Sequence, residues 1–200
     1  MTAINRTLLE SPKGQLLAPG FASGYAYVSA EENASRVMTD FKTSPMITAL
    51  CSASIELTLQ QMKISGARFT FVVDERGALL GSVTSYDIQG EKPMRYMQSV
   101  GCSHKTCAWR DVVVENIMEP SAEWLVLDHA HVARLTVGEV SALMFKAGRR
   151  YLVVVERLDG DAAWQVRGLF SGARIQMLLG APVPGVTPAH SFAELGREIA

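Results

Sequence analysis

The strongest hydrophobic pattern in this chain is an apolar run that occurs twice, at residues 66–74 and 148–156. Each run opens on glycine, passes a basic and an aromatic residue into a mostly apolar stretch, and closes on a carboxylate. Because so few of its positions are polar, each run predicts a strand that is buried rather than half exposed. Gly66 and Gly148 fall where a preceding helix would end, because glycine adopts the left-handed conformation of a helix terminus at little cost.

Two shorter patterns flank these runs in both halves of the chain. Downstream, residues 80–88 and 167–175 share a glycine, an apolar residue, a hydroxyl residue and an isoleucine at matching positions. Upstream, residues 37–38 match residues 117–118, each an aliphatic residue followed by methionine. The same patterns in the same order predict an internal duplication, which determines the architecture.

Each copy predicts the same order of elements, which is strand, helix, strand, strand, helix. In the first copy we expect a strand over 46–50, a helix after Ser54, strands over 69–73 and 79–84, and a helix that begins near Asp87. In the second copy we expect a strand over 124–127, a helix from Thr136, strands over 151–155 and 165–171, and a helix over 173–179. One such unit of about 55 to 60 residues buries too little apolar surface to be stable alone, so the two should pack sheet to sheet about a pseudo-twofold axis. The predicted fold class is therefore α+β, with two βαββα repeats.

The predicted domain boundaries follow from the duplication and from the composition between the copies. We expect a first repeat over 36–100 and a second over 112–180. The segments outside them are rich in Gly, Ser, Ala and Pro or are polar, which is typical of loops and linkers. These segments are an N-terminal arm, a connection, and a C-terminal linker with a short helix, at 1–35, 101–111 and 181–200.

Composition and charge exclude several functional classes. The 19 basic and 20 acidic residues nearly cancel at a pI near 6.4, so no overall field attracts the chain to nucleic acid or to an anionic membrane. No apolar run approaches the roughly 20 residues that a membrane-spanning helix needs, and the charged start lacks the apolar stretch of a signal peptide. The three cysteines form an odd set in a chain too large to need disulfides, which indicates reduced thiols. We therefore expect a soluble, cytoplasmic protein.

The repeated unit resembles the cystathionine-beta-synthase (CBS) domain. The resemblance rests on three features in order: an aliphatic residue before methionine, a glycine before an apolar strand, and a final Gly-x-hydrophobic-(Thr/Ser)-x-x-Asp motif. Two copies in tandem, over about residues 35–180, resemble a CBS pair, often called a Bateman module. The resemblance implies a regulatory module without chemistry of its own. Such a module binds an adenine nucleotide, for which AMP, ADP and ATP are the candidates, and signals occupancy to a partner protein.

Thr84 and Asp87 form the candidate ligand-binding pair of the first copy. A hydroxyl at a strand end and a carboxylate three residues later lie about one helical turn apart and face the same cleft. The free amides of the helix start favour a phosphate, the hydroxyl adds a donor, and the carboxylate can accept hydrogen bonds from a ribose diol. The alternative is structural: Thr84 ends a strand and Asp87 suits the positive end of a helix.

The second copy departs from this pattern, because Ser171 matches Thr84 but Arg174 takes the place of Asp87. A guanidinium cannot accept hydrogen bonds from ribose hydroxyls, so the sequence argues against a ribose site there. Two interpretations of Arg174 remain. It contacts a phosphate that is held in the first site, or it is a solvated surface residue.

Other ligand contacts are implied by the resemblance or by charge. The resemblance places the base pocket at Thr39, near the start of the first repeat, and at the backbone around Phe71 and Val72. Both apolar side chains also suit core packing. Arg68 and the pair at 149–150 precede the buried strands, where they either steer phosphates toward a cleft or offset the carbonyl dipoles of helix ends.

Two other functions compete with nucleotide binding. Cys102, His104 and Cys107 lie close together and suggest a metal site, with His129 or His131 as a further ligand, but their spacing fits no strong zinc pattern. The second is a ligand-free scaffold that only dimerises, which the altered second motif favours. No nucleophile elbow or assigned catalytic base occurs in the sequence, so we expect neither an enzyme nor a required cofactor. A homodimer is expected because methionines recur on the predicted helices at spacings typical of interfaces.

Overall fold

The computed structural model describes residues 27–101, 108–158 and 163–179, and over these ranges the chain forms strands and helices in two similar halves. The strands are β1 (Thr39–Asp40), β2 (Thr48–Leu50), β3 (Phe69–Val73), β4 (Leu79–Thr84), β5 (Glu119–Pro120), β6 (Val126–Asp128), β7 (Tyr151–Arg157) and β8 (Trp164–Ser171). The α-helices are α1 (Ile55–Ser65), α2 (Ser85–Gln89), α3 (Lys92–Ser99), α4 (His129–Val132), α5 (Val137–Lys146) and α6 (Gly172–Leu179).

The strands form two sheets of four that have the same arrangement. The order is β2-β3-β4-β5 in the first sheet and β6-β7-β8-β1 in the second. In each sheet the first two strands are parallel and the remaining neighbours are antiparallel. This correspondence confirms the predicted α+β class with two equivalent repeats.

Each repeat contributes its first short strand to the sheet of the other repeat, an exchange that the sequence did not reveal. β1, from the start of the first repeat, pairs with β8 of the second, with Thr39 opposite Leu169. β5, from the start of the second repeat, pairs with β4 of the first, with Glu119 opposite Ser82. The repeats are therefore interlocked, and the region between the sheets is built from both of them.

Two glycines of the repeated motif allow this exchange. A β-carbon on Gly81 would overlap the carbonyl oxygen of Glu119, and one on Gly168 would lie 2.8 Å from the carbonyl oxygen of Thr39. Both obstacles are backbone atoms, which cannot rotate out of the way. The glycine that the two motifs share is thus explained by the close approach of the incoming strand.

The ends of the two longer helices agree with the sequence prediction. The Ser54 hydroxyl accepts a hydrogen bond from the amide of Leu57 and caps α1, and Gly66 ends that helix at φ 68°. A capping box between Thr136 and Glu139 starts α5. These caps satisfy amides that would otherwise be unpaired at the first turn of each helix.

Several boundaries differ from the prediction. β2 and β6 are shorter than expected and begin at Thr48 and Val126. The helix expected near Asp87 is two helices, because Gly90 has an extended conformation (φ −88°, ψ −152°) that ends α2 before α3 begins. This break turns Lys92, at the start of α3, back toward the α2 N-terminus.

The segment before β1 packs on the second repeat. Val28 and Ala34 are 5% and 0% exposed, and the amide of Val28 donates to the carbonyl oxygen of Leu178 at 2.9 Å. The amide of Gly138 donates to the carbonyl oxygen of Ala30 at 2.8 Å. The folded body therefore includes residues 28–34, which the sequence assigned to the arm. Residues 1–26 of that arm and the predicted C-terminal helix lie outside the described residues.

Candidate functional site

A cluster of aromatic rings lies where the two sheets face each other. Phe69 and Tyr151 start the equivalent strands β3 and β7, and their ring centroids are 4.9 Å apart. Phe71 packs edge-on against Phe69, Phe41 and Trp124, with centroid separations of 4.9, 5.5 and 5.9 Å. Phe69 and Tyr151 line a cleft on each side, so their contact forms the wall between two clefts.

The first cleft has a volume of about 530 Å³ and combines the end of the first repeat with the start of the second. The first repeat contributes Thr84 and Asp87, and the second contributes Glu119 and the segment 124–125. Charged side chains surround this opening; they are Asp87, Glu91, Lys92, Arg95, Glu119, Arg149 and Arg150. The cleft thus places acceptors, cations and apolar walls around one space, which is the composition of a small-molecule site.

Thr84 and Asp87 are locked together as a capping box at the start of α2. The Thr84 hydroxyl donates to Asp87 Oδ2 at 2.6 Å, and the Thr84 amide donates to the same oxygen at 2.8 Å. The Asp87 amide in turn donates to Thr84 Oγ1 at 3.1 Å. The hydroxyl proton that the sequence analysis assigned to a ligand is therefore used inside the protein. Thr84 orients Asp87 rather than donating into the cleft.

The second oxygen of Asp87 faces a cation. Lys92 Nζ lies 2.8 Å from Asp87 Oδ1, and the two side chains are 44% and 21% exposed. A carboxylate offers about four lone-pair positions, of which Thr84 occupies two and Lys92 one. Oδ1 therefore retains the capacity to accept one more hydrogen bond from the cleft.

The arginines of the first cleft differ in whether they have an acidic partner. Arg149 forms an ion pair with Glu119, whereas Arg150 has no ion-pair partner in the part of the chain that the structure describes. Arg150 instead lies over the ring of Tyr86, with its guanidinium carbon 4.3 Å from the ring centroid. This stacking holds the guanidinium in the cleft without neutralising its charge. Arg150 is thus the cation best placed to meet an anionic group.

Tyr151 supplies a neutral hydroxyl to the wall between the clefts. The pKa of Tyr151 is raised to about 12, mainly by burial; Tyr86 and Asp87 also raise it, whereas Arg68 and Arg150 lower it. The phenol therefore stays protonated throughout the physiological range and can donate a hydrogen bond.

The second cleft has a volume of about 500 Å³ and is the counterpart of the first. It combines the end of the second repeat, Ser171 and Arg174, with the start of the first repeat at Thr39. Ser171 Oγ accepts from the amide of Arg174 at 3.5 Å, a weaker version of the cap at Thr84. Arg68 also lines this cleft, and no acidic side chain among the described residues does.

The sequence-predicted site residues divide between these clefts. Thr84 and Asp87 lie in the first cleft. The second cleft holds Thr39, Phe71, Ser171 and Arg174, and Val72 is fully buried in the core and lines neither cleft. Thr39 and Phe71 therefore do not line the cleft that holds Thr84 and Asp87, because the strand exchange carries Thr39 to the opposite cleft. Arg174 likewise lies away from the first cleft, so the structure does not support its contact with a phosphate held there.

Several residues of the first cleft were not singled out from the sequence, among them Glu119, Trp124 and Lys92. Glu119 and Trp124 occupy in the first cleft the place that Thr39 and its neighbours occupy in the second. An alignment of the two repeats would have indicated them, but only with knowledge of the strand exchange. Trp124 Nε1 is buried without a hydrogen-bond partner among the described residues. Lys92 follows the break at Gly90, for which the sequence offered only an isolated glycine as a signal.

A buried ionic cluster fixes β1 at the edge of the second cleft. Arg167, whose side chain is 10% exposed, binds both carboxylate oxygens of Asp40, one of them at 2.8 Å. Arg167 Nε lies 3.1 Å from Glu156 Oε2, close enough for an ion pair but not aligned for a hydrogen bond. The hydrogen bond from Arg167 lowers the pKa of Asp40. Burial would raise the pKa of Glu156, but contacts with Lys42, Gln165 and Arg167 outweigh it and lower that pKa.

The competing metal-binding function gains no support from the described residues. Cys102, His104 and Cys107 lie outside those residues. Within the described ranges no group of three or more His, Cys, Asp or Glu side chains could hold a metal, and this includes His129 and His131. None of the helices in these ranges has both the length and the apolar character needed to cross a bilayer.

No protein-family model matches this chain, and no curated protein matches it. Among solved structures, an uncharacterized conserved protein from Pyrococcus horikoshii matches at 17% identity and a TM-score of 0.51, over 75% of this chain and 93% of its own. A Methanocaldococcus jannaschii protein described as a putative archaeal homolog of g-AMPK matches at 18% identity and a TM-score of 0.50, over 75% of this chain and 48% of its own. A CBS-pair protein from Arabidopsis thaliana matches at 20% identity and a TM-score of 0.47, over 72% of this chain and 92% of its own. These likenesses concern the fold.

Proposed function

We propose that this chain, whose fold is that of a CBS-domain pair, is a non-catalytic regulatory module that binds an adenine nucleotide in the first cleft. AMP, ADP and ATP are the candidate ligands. Because both repeats line the cleft, a ligand held there changes the relative stability of different packings of the repeats. A partner protein that binds one packing better than another then senses occupancy.

The observation that carries this proposal is the presence of Asp87 and Arg150 in one cleft that also has apolar and aromatic lining. Asp87 can accept a hydrogen bond from a ribose hydroxyl, and Arg150 can donate to a phosphate. Trp124, Leu125 and Tyr151 provide apolar and aromatic surface for a purine between these groups. A volume of about 530 Å³ lies within the usual range for small-molecule sites.

The internal bonds of Asp87 support a role in binding because they fix its direction. A carboxylate held by Thr84 and Lys92 loses little side-chain entropy when a ligand arrives. One ribose hydroxyl fits on Oδ1 beside Lys92 without breaking the capping box. A second hydroxyl would require Lys92 to leave Oδ1; Lys92 Nζ also donates to the carbonyl oxygen of Ile117 at 3.2 Å.

Asp87→Ala is expected to weaken binding of AMP and ATP at least tenfold. The loss of one charge-assisted hydrogen bond, worth about 1.5 to 3 kcal/mol, corresponds to that range. Titration calorimetry with AMP, ADP and ATP measures the effect directly. If the variant binds as tightly as the unaltered protein, Asp87 does not hold the ligand.

The matched control for this variant is Glu139→Ala. Glu139 completes the capping box of α5 with Thr136 just as Asp87 does for α2, but it lines neither cleft. Glu139→Ala therefore removes an equivalent helix cap and should leave nucleotide affinity unchanged. A similar loss of affinity in both variants would mean that helix stability, not ligand contact, explains the effect.

Arg150→Met is expected to weaken AMP binding about tenfold or more while leaving adenosine binding nearly unchanged. The methionine keeps much of the apolar volume over Tyr86 but removes the charge that a phosphate would meet. Calorimetry with AMP and with adenosine separates the two contributions. An equal loss for both ligands would contradict the assignment of Arg150 to the phosphate.

A ligand-free scaffold is the second candidate, because Thr84 and Lys92 already occupy three of the roughly four acceptor positions of Asp87. A scaffold gains no stability from nucleotide, whereas a sensor gains RT ln(1 + [L]/Kd). At a nucleotide concentration of about 100 Kd, the gain is about 2.7 kcal/mol and the melting temperature rises accordingly. An unchanged melting temperature and an unchanged sedimented mass across the nucleotide panel would favour the scaffold.

A further inference from the structure

The two clefts differ in charge although they arise from equivalent parts of the repeats. In the first cleft three acidic side chains accompany four basic ones. In the second cleft the charged lining consists of Arg68 and Arg174 alone, as far as the described residues extend. The duplication has therefore produced one mixed cleft and one cationic cleft.

Neither arginine of the second cleft has an ion-pair partner within the described ranges. Arg68 makes only a long hydrogen bond of 3.5 Å to the hydroxyl of Tyr86. Both arginines line the cleft and are exposed, so an anion that enters the cleft can meet two guanidiniums. Within the described ranges, the lining of this cleft therefore carries positive charge and no carboxylate.

The position of Arg174 also determines what this cleft cannot hold. Arg174 is the counterpart of Asp87, so the acceptor that could hold a ribose hydroxyl in the first cleft is replaced by a donor-only group. A carboxylate or phosphate matches the planar donor face of guanidinium, whereas a diol does not. The guanidinium of Arg174 therefore favours an anionic ligand group at this position of the second cleft.

The remaining walls of the second cleft are apolar and aromatic. The apolar side chains that line it are Phe41, Ile47, Phe69, Phe71 and Leu169. The ring of Phe71 packs edge-on against the rings of Phe41 and Phe69. Ligand surface buried against such walls contributes roughly 25 cal/mol per Å². A ligand that fills this space therefore needs an apolar or aromatic body as well as an anionic group.

We propose that the second cleft is a separate binding site for an anion, a carboxylate or a phosphate, carried on an aromatic or apolar body, and that it gains nothing from a vicinal diol. This site is independent of the adenine nucleotide in the first cleft and stands whether or not a nucleotide binds there. The chain then receives two different chemical inputs, one on each side of the contact between Phe69 and Tyr151.

Naphthyl phosphate, naphthoate and neutral naphthol are suitable probes, with binding measured by calorimetry and located by amide chemical-shift mapping. Both anions should bind at least tenfold more tightly than naphthol, with shift changes at residues 39–41 and 171–174. Arg174→Asp should weaken binding of the anions at least tenfold, whereas Arg157→Asp, the same charge change on an exposed arginine at the far end of β7, should not. Thermal melting of both variants verifies that they are folded.

Arg150→Met distinguishes this site from the first cleft, because it removes the cation available for an anion there. Naphthyl phosphate should bind this variant as tightly as it binds the unaltered protein. The proposal is overturned if naphthol binds as well as the anions, if Arg174→Asp binds within twofold of the unaltered protein, or if the shift changes fall at residues 84–87. Failure of AMP to bind would contradict only the proposal for the first cleft.

Discussion

Replacing Arg167 with methionine is expected to lower the free energy of unfolding by about 2 to 4 kcal/mol, the cost of leaving largely buried carboxylates without their cation. Arg167 joins Asp40 on β1 to Glu156 on β7, and the two carboxylate side chains are 30% and 16% exposed. Methionine fills similar space, so the loss comes mainly from charge rather than from a cavity. Urea denaturation monitored by circular dichroism measures the change.

The effect of Arg167 should also depend on pH. The folded-state pKa values of Asp40 and Glu156 lie below their ordinary values of 3.8 and 4.5. Stability from such a lowered pKa is fully present above the unfolded-state value and is lost as the pH falls through the folded-state value. The difference between the unaltered protein and Arg167→Met should therefore be largest near pH 7 and should shrink below about pH 4. A difference that does not vary with pH would show that lost packing, not charge, is responsible.

Arg95→Met is the matched control for Arg167→Met. Arg95 pairs with Glu91 one helical turn away, but these side chains are 76% and 78% exposed. Such surface pairs contribute about 0.3 to 0.5 kcal/mol. Equal destabilisation by the two substitutions would contradict the view that burial gives the Arg167 cluster its importance.

Gly81→Ala is expected to destabilise the protein by about 1 to 3 kcal/mol, the usual range for overpacking. The added methyl group would overlap the carbonyl oxygen of Glu119, so β5 must move away from β4. Because β5 carries Glu119 into the first cleft, nucleotide affinity should fall together with stability. Denaturant unfolding and calorimetry with AMP on the same preparation measure both effects.

Gly138→Ala provides the comparison for this substitution. The nearest atom to its added β-carbon is the carbonyl oxygen of Ala30 at 3.2 Å, and the residue lies in α5, where alanine is favoured over glycine by about 1 kcal/mol. We therefore expect little net change in stability and none in AMP affinity. If Gly81→Ala is as well tolerated as Gly138→Ala, the close approach of β5 does not account for the shared glycine.

The parts of the fold that the sequence predicted are those with a local physical signal. The apolar runs that became β3 and β7 are too hydrophobic to lie at the surface, and Ser54, Gly66 and Thr136 mark helix ends through their own backbone and hydroxyl chemistry. Because the chain is duplicated, an element recognised in one repeat also predicted the equivalent element in the other. These features required no knowledge of tertiary contacts.

The strand exchange could not be predicted in this way. β1 and β5 are two residues long, which is too short for any periodicity, and their pairing depends on the space above Gly81 and Gly168. That exchange determines which residues line each cleft. The sequence therefore identified Asp87 and Arg174 as chemically distinct but could not assign Thr39 to its cleft.

The Arg167 cluster illustrates the same limit for charged residues. Its partner Asp40 is distant in sequence, and the corresponding position in the first repeat is the apolar Leu80. An arginine within an apolar strand was visible, but only the register of β1 on β8 shows that it is paired and buried. Pairing between distant charges is a property of the folded state, so single-sequence reasoning has no local signal for it.

The most direct test of the central claim is a crystal structure of the protein grown with saturating AMP. The account predicts nucleotide density in the first cleft, with a ribose hydroxyl within hydrogen-bond distance of Asp87 and the phosphate within reach of Arg150. Density confined to another surface, or a ribose that points away from Asp87, would contradict it.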